Sequence, residues 1–193
     1  MAAPMNTTAQ DRMPPIPANK MTAAQKKAAA EFRAHRKTEV FGPFVPLLRS
    51  PEVMLCATAM GDYLRYRSTL PPRLNELVIL ITSRQWTQQY EWNLHYAEGL
   101  KAGLNASIAK AVAEGRRPDA MSDDEEIVYE FSTELLQDQS VSDRTYARAV
   151  ATFGEQGTMD MIGVIGYYTF LAMVLNTART PLPAGAKPGL RPM

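Results

Sequence analysis

One cysteine, Cys56, stands among 193 residues, which excludes an internal disulfide and any paired-thiol redox or zinc motif. A lone thiol fits a reducing compartment, and a cytoplasmic location is the expectation. Histidine is almost as scarce. His35 and His95 are the only two, too few beside scattered acids for a tight transition-metal site. Neither sign of charge dominates: 21 basic and 20 acidic residues leave a net charge of +1, interleaved along the chain. No basic surface therefore argues for a nucleic-acid partner. Apolar runs fall short of the roughly 18 residues of a membrane span, so no membrane partner is expected. There is no glycine-rich phosphate loop, no nucleophile elbow and no HExxH pattern. The expectation is thus no cofactor and no metal. The opening MAAPMNTTAQDRMPPIPANK has neither a basic n-region nor an apolar h-region, so no secretory signal is expected.

What remains is ordinary for a soluble globular chain, 46% hydrophobic and 21% charged, and long enough for one domain with its own core. Residues 1–20, rich in Pro, Ala, Met and Asn, are expected to be a flexible arm or a strap over a neighbouring subunit. Residues 184–193 read as a flexible tail, because their prolines and glycines forbid a continuing helix. Residues 21–183 form a single predicted domain.

That domain reads as all-α. TAAQKKAAAEFRAHRK (22–37) is built of strong helix formers with Thr22 as a candidate N-cap. Two prolines in FGPFVPLLRS (41–50) break the pattern. Ser50, Pro51 and Glu52 suit the start of a helix over 51–67. In PPRLNELVILITSRQ (71–85), Leu74, Leu77, Val78 and Ile81 recur at helical spacing. Ile79 and Leu80 widen the stripe until the helix must be buried on most sides. A further helix follows Thr87 as N-cap and stops at Gly103. ASIAKAVAEG (106–115) is short, bounded by Asn105 and Gly115. Ser122 and Glu125 form a capping-box pair opening 122–139. Ser142-Asp143 starts a helix that Gly154 ends, and 157–178 is the last and most apolar. There, Gly163 and Gly166 would permit close helix approach.

The candidate chemistry lies in QQYEWNLHYAEGLKAGL (88–104). Glu91 and His95 are four apart, so they share a helix face. The pair could be surface decoration, a packed structural pair, or an acid–base site in which a carboxylate fixes an imidazole tautomer. Tyr90, Trp92 and Tyr96 around it oppose the surface reading. Glu76 sits inside NELVILI, where a carboxylate must be hydrogen-bonded, paired or protonated. Either it occupies an exposed edge, or it points toward the next helix and joins Glu91 and His95. Arg73 and Arg84 could hold an anionic substrate or be solvated. Tyr63, Tyr66, Tyr167 and Tyr168 could line a cavity or pack. The 11 methionines suit core filling, and His35, in a charged helix, is expected to be exposed.

LPPRLNELVILITSR, YEWNLHYAEGLKAGL and GVIGYYTFLAMVLNTA together resemble the carboxymuconolactone decarboxylase family, which also contains the AhpD-type alkylhydroperoxidases. The resemblance spans about residues 45–183. In the peroxidase branch the pattern is CxxCxxxH with an upstream glutamate. Here the histidine is His95, the glutamate Glu76, and the cysteine positions hold Gln88 and Glu91. Without thiolates a thiol-peroxidase reading has no nucleophile. The resemblance to the decarboxylase branch implies an AhpD-like helical bundle assembled as a trimer or hexamer. It also implies a cofactor-free site of His95, Glu91 and Glu76, with Tyr90, Trp92, Arg73 and Tyr63 as candidate substrate contacts. The implied activity is a 4-carboxymuconolactone decarboxylase-like lyase of aromatic catabolism acting on a small unsaturated lactone. In that scheme His95 is the proton donor or base, Glu91 its orienting partner and Glu76 a second acid–base group. A lactone hydrolase, isomerase or dehydratase, or a non-enzymatic binding protein, would use the same scaffold.

Overall fold

The structure is a computed structural model that describes residues 10–191. The arm expected over 1–20 and the tail over 184–193 therefore lie partly outside the described residues. Those described contain eight α-helices and no strand: α1 Ala23–Arg36, α2 Phe44–Leu47, α3 Pro51–Tyr66, α4 Pro72–Gln85, α5 Gln89–Lys101, α6 Ala106–Ala113, α7 Asp123–Gln137 and α8 Asp143–Ala178. A 3₁₀ turn at Ala18–Lys20 precedes them.

Local chemistry explains most boundaries. Thr22 and Gln25 close a reciprocal capping box at α1, and Ser122 and Glu125 close another at α7. Asn105 Oδ1 accepts from Ser107 N at 2.9 Å to start α6. Gly103 leaves α5 with φ +94°, open to glycine at no steric cost. Three starts differ from expectation. Ser50 precedes α3, but its side chain makes no capping bond, so Pro51 at the first helical position marks the start. The N-cap of α5 is Gln88, whose Oε1 accepts from Tyr90 N at 2.6 Å, while Thr87 takes φ +46° in the turn before it. The proline-broken stretch near 45 still forms one helical turn, α2. Gly154, with φ +70° and ψ 174°, breaks α8 where the sequence places a helix end.

α4 is the hub and packs against α5, α6, α7 and α8. Leu74, Leu77, Val78, Ile79 and Leu80 have no exposed surface, each contributing about 1.5–3 kcal/mol of apolar burial. Two of its buried hydroxyls bond within the helix and its buried asparagine amide reaches α3, while Asn75 Oδ1 has no partner among the described residues. Thr82 Oγ1 donates to Val78 O at 2.9 Å, Ser83 Oγ to Ile79 O at 2.8 Å, and Asn75 Nδ2 to Leu64 O at 2.6 Å. α3 meets α8 through two glycines. A Cβ on Gly61 would fall 2.2 Å from Tyr167 Oη, and one on Gly163 3.0 Å from Leu64 Cδ2. Gly166 does not share that role, since no atom lies within 4 Å of its Cβ position.

Both flanking segments lie on the bundle. Arg12 N donates to Ala178 O at 2.8 Å, and Arg49 Nη2 to Pro14 O at 2.8 Å. Gln89 binds the backbone of 189–190 three times: Oε1 accepts from Gly189 N and Leu190 N, both at 3.0 Å, and Nε2 donates to Leu190 O at 2.7 Å. α8 corrects the reading of apolar runs. It is long and apolar enough to cross a membrane by length and composition, with a window of mean hydropathy 1.5, but 56% of that window is buried as in a core helix.

Candidate functional site

Glu76 on α4 lies ten residues before Trp86, and His95 on α5 seven residues after Gln88, so the turn between them folds the two positions toward each other. His95 Nδ1 lies 2.7 Å from Glu76 Oε2. The imidazole is 3% exposed and the Glu76 side chain 13%, so the pair reaches solvent only along the glutamate's edge. A Glu76 carboxylate accepting from Nδ1–H leaves Nε2 as the free nitrogen. From α8, Tyr168 sets its ring edge-to-face against the imidazole at 4.9 Å and 86°, and Tyr167 stands perpendicular to Tyr168. His95 thus pairs with Glu76, not with Glu91 as the four-residue spacing suggests.

Glu91 faces a different problem. It is 3% exposed, and neither carboxyl oxygen has a hydrogen-bond partner among the described residues. Burial pushes its pKa well above the ordinary 4.5. A bare carboxylate cannot be sustained there, and Glu91 is held as the neutral acid. Burial also drives the Tyr168 phenol well above 10 and Tyr167 up to about 12. Both remain protonated donors.

Arg65, which the sequence reading did not single out, completes the electrostatics. Burial alone would lower its pKa. The neighbouring Tyr168, Tyr66, Glu76 and Glu98 outweigh that and raise it, which places a cation near the pair. Nothing in the sequence marks Arg65 over Arg67, because the phase of α3 against α4 follows only from packing.

The expected substrate contacts have partners of their own in the fold. Arg73 is held by Asp124, with Nη2–Oδ2 at 2.7 Å, and by Glu125, so it clamps α4 to the start of α7. Tyr63 Oη donates to Asp160 Oδ1 at 3.0 Å. Ser68 and Thr69 also donate to that carboxylate. Tyr90 lies against Gly42, and Trp92 is buried against Gly189 and stacked on Tyr96 at 6.0 Å. Two surface clefts are evident. One of about 530 Å³ runs between Trp86, Leu135, Leu136 and Ile162, and one of about 480 Å³ between Trp92, Tyr96, Ser107 and Lys110. Neither is lined by Glu76, Glu91 or His95. His35 is exposed, as expected, and pairs with Asp62 at 2.7 Å. Among the described residues no three His, Cys, Asp or Glu side chains come together as a metal site.

A helical bundle with a buried Glu–His pair between its two central helices, and a protonated glutamate one turn away, defines the class. Residues 51–127, which carry that pair, match the model of the carboxymuconolactone decarboxylase family. A solved structure of the debrominase Bmp8, as a cysteine-to-alanine variant in complex with 2,3,4-tribromopyrrole, matches with a TM-score of 0.64. The match covers 93% of this chain and 94% of that one at 11% sequence identity, a likeness of fold. No curated protein matches the chain.

Proposed function

We propose that the protein is a cofactor-free acid–base enzyme acting on a small unsaturated lactone that bears a carboxylate, with 4-carboxymuconolactone decarboxylation as the reaction it fits best. The observation that supports this reading is the 2.7 Å Glu76–His95 pair beside a buried, neutral Glu91. Loss of carbon dioxide breaks the bond between the carboxylate carbon and the ring, and the electron pair passes into the lactone as a dienolate. In its imidazolium form His95 donates Nδ1–H to Glu76 and presents Nε2–H to that developing negative charge. Glu91, already protonated, gives its proton to the ring carbon and recovers one from water. One substrate carboxylate and one proton thus become carbon dioxide and a C–H bond. In this scheme His95 and Glu91 are catalytic and Glu76 is a positioning residue. The family match over residues 51–127 and the likeness of fold support an enzyme on this scaffold.

The test follows substrate loss and carbon dioxide together on 4-carboxymuconolactone and related lactones. His95→Gln should lower turnover by about 10²–10⁴-fold, the usual worth of a positioned acid–base group, with an unchanged circular dichroism spectrum. Substrate loss without carbon dioxide would transfer these residues to a hydrolase or isomerase. Full activity in His95→Gln would refute the assignment.

A further inference from the structure

Among the described residues five arginines are half-buried: Arg36, Arg65, Arg73, Arg84 and Arg148. Four of them are committed. Arg36 holds Asp62 at 2.8 Å, Arg73 holds Asp124 and Glu125, and Arg148 holds Glu126 and Glu130. Arg84 Nη1 donates to Arg191 O at 2.6 Å. Arg65 differs from all four. It makes no hydrogen bond and no ion pair among the described residues, and its guanidinium lies 5.4 Å from the centre of the Tyr66 ring.

The fold brings this uncommitted cation to the Glu76–His95 pair. Asn75 Nδ2 donates to Leu64 O at 2.6 Å, which pins α3 to α4 one residue before Arg65 and one residue before Glu76. From α5, Gly99 packs on the same glutamate, since a Cβ there would lie 3.5 Å from Glu76 Cβ. Glu76 and the preceding Glu98 both act on the Arg65 charge. Each of these acids already has a contact partner: His95 for Glu76 at 2.7 Å and Lys101 for Glu98 at 2.8 Å. A structural counter-ion would close onto a carboxylate, as Arg36, Arg73 and Arg148 do. Arg65 instead keeps five N–H donors in a planar fork, the geometry that grips a carboxylate through two parallel bonds. Tyr66 beside it is 70% exposed, so the fork is approached from solvent.

We propose that Arg65 is the specificity-determining residue of this site, its fork seating a carboxylate that the substrate keeps through the reaction. The assignment rests on the decarboxylation proposed above, which supplies the second, departing carboxylate. That group is unsuited to the seat. It loses its negative charge as the carbon–carbon bond breaks, so a cation gripping it would hold the ground state more firmly than the transition state and slow the reaction. A retained carboxylate keeps its charge throughout, and Arg65 then stabilises both states equally. The ligand class is a small unsaturated lactone with one permanent carboxylate, and an ester in that place leaves the cation unpaired.

Two measurements on the full chain test this. Isothermal titration uses probes with no departing group: an unsaturated γ-lactone bearing a single acetic acid arm, and the methyl ester of that arm. The wild type should bind the acid about 10–100-fold more tightly than the ester. Arg65→Met should bind both as weakly as the wild type binds the ester. Arg65→Lys, which keeps the charge without the fork, should lie between. Because Arg65 makes no bond within the described fold, each variant should keep the wild-type circular dichroism spectrum. In turnover of 4-carboxymuconolactone, Arg65→Met should raise KM by the same factor and leave kcat unchanged. Equal binding of acid and ester by the wild type, undiminished binding of the acid by Arg65→Met, or loss of the helical spectrum in that variant would overturn the assignment. An Arg65-dependent preference for the acid without release of carbon dioxide would keep the seat and refute the decarboxylase. Release of carbon dioxide with unchanged KM in Arg65→Met would do the reverse.

Discussion

Glu91 and His95 stand one helical turn apart, yet burial treats them differently. His95 shares its proton with Glu76, while Glu91 must keep its own. This gives the protein a measurable pH dependence. The unfolded chain releases the Glu91 proton above about pH 4.5, and the folded chain retains it to well above that. Unfolding free energy contributed by this group therefore falls as pH rises from 4.5 toward the folded pKa, with a slope of at most about 1.4 kcal/mol per pH unit. Glu91→Gln should remove that slope, and urea titrations across the range would show a flatter profile than the wild type. An unchanged profile would mean that Glu91 is ionised in the fold. At this scale the sequence was half legible. A carboxylate within NELVILI had to be paired, exposed or protonated, and Glu76 proved to be paired across helices. The i,i+4 spacing of Glu91 and His95 correctly puts them on one helix but says nothing about which neighbour the imidazole prefers.

Helix boundaries were the most readable elements, because caps and stops are local. Thr22, Asn105, Ser122 and Gly154 each act within a few residues of themselves. Contacts between helices depend on their relative phase, which no single segment encodes. Hence Arg73, a plausible anion clamp by type, proves to be a strut between α4 and α7. Arg73→Met should lower stability by about 1–3 kcal/mol, since it strands two carboxylates, and should leave KM unchanged. A raised KM at unchanged stability would restore a binding role. Gly61 belongs to the same scale. Gly61→Ala places a methyl 2.2 Å from Tyr167 Oη and should cost about 1–3 kcal/mol in chemical denaturation. Tyr167→Phe should recover only part of the loss, because the ring carbon Cζ lies 2.7 Å from the same point.

For the whole molecule, composition was a good guide to the class of fold and a poor one to its surfaces. The all-helical architecture follows from periodicity and from the lack of strand signals, whereas the bare outer face of α8 could not be told from core by hydropathy. Cys56 is exposed on α3, and no second thiol exists in the chain. Cys56→Ser should leave turnover unaltered with or without reductant, and a loss of activity would revive thiol chemistry. The proton sealed at Glu91 also changes how the molecule behaves in an electric field. The formal charge of +1 counts Glu91 as ionised and both histidines as neutral. If Glu91 keeps its proton in the fold at neutral pH, the native protein carries +2 on the same count, one more than the denatured chain. Folding should therefore move its isoelectric point above the sequence value of about 7.8, so native and urea focusing gels of the same sample would report the buried acid without any substrate.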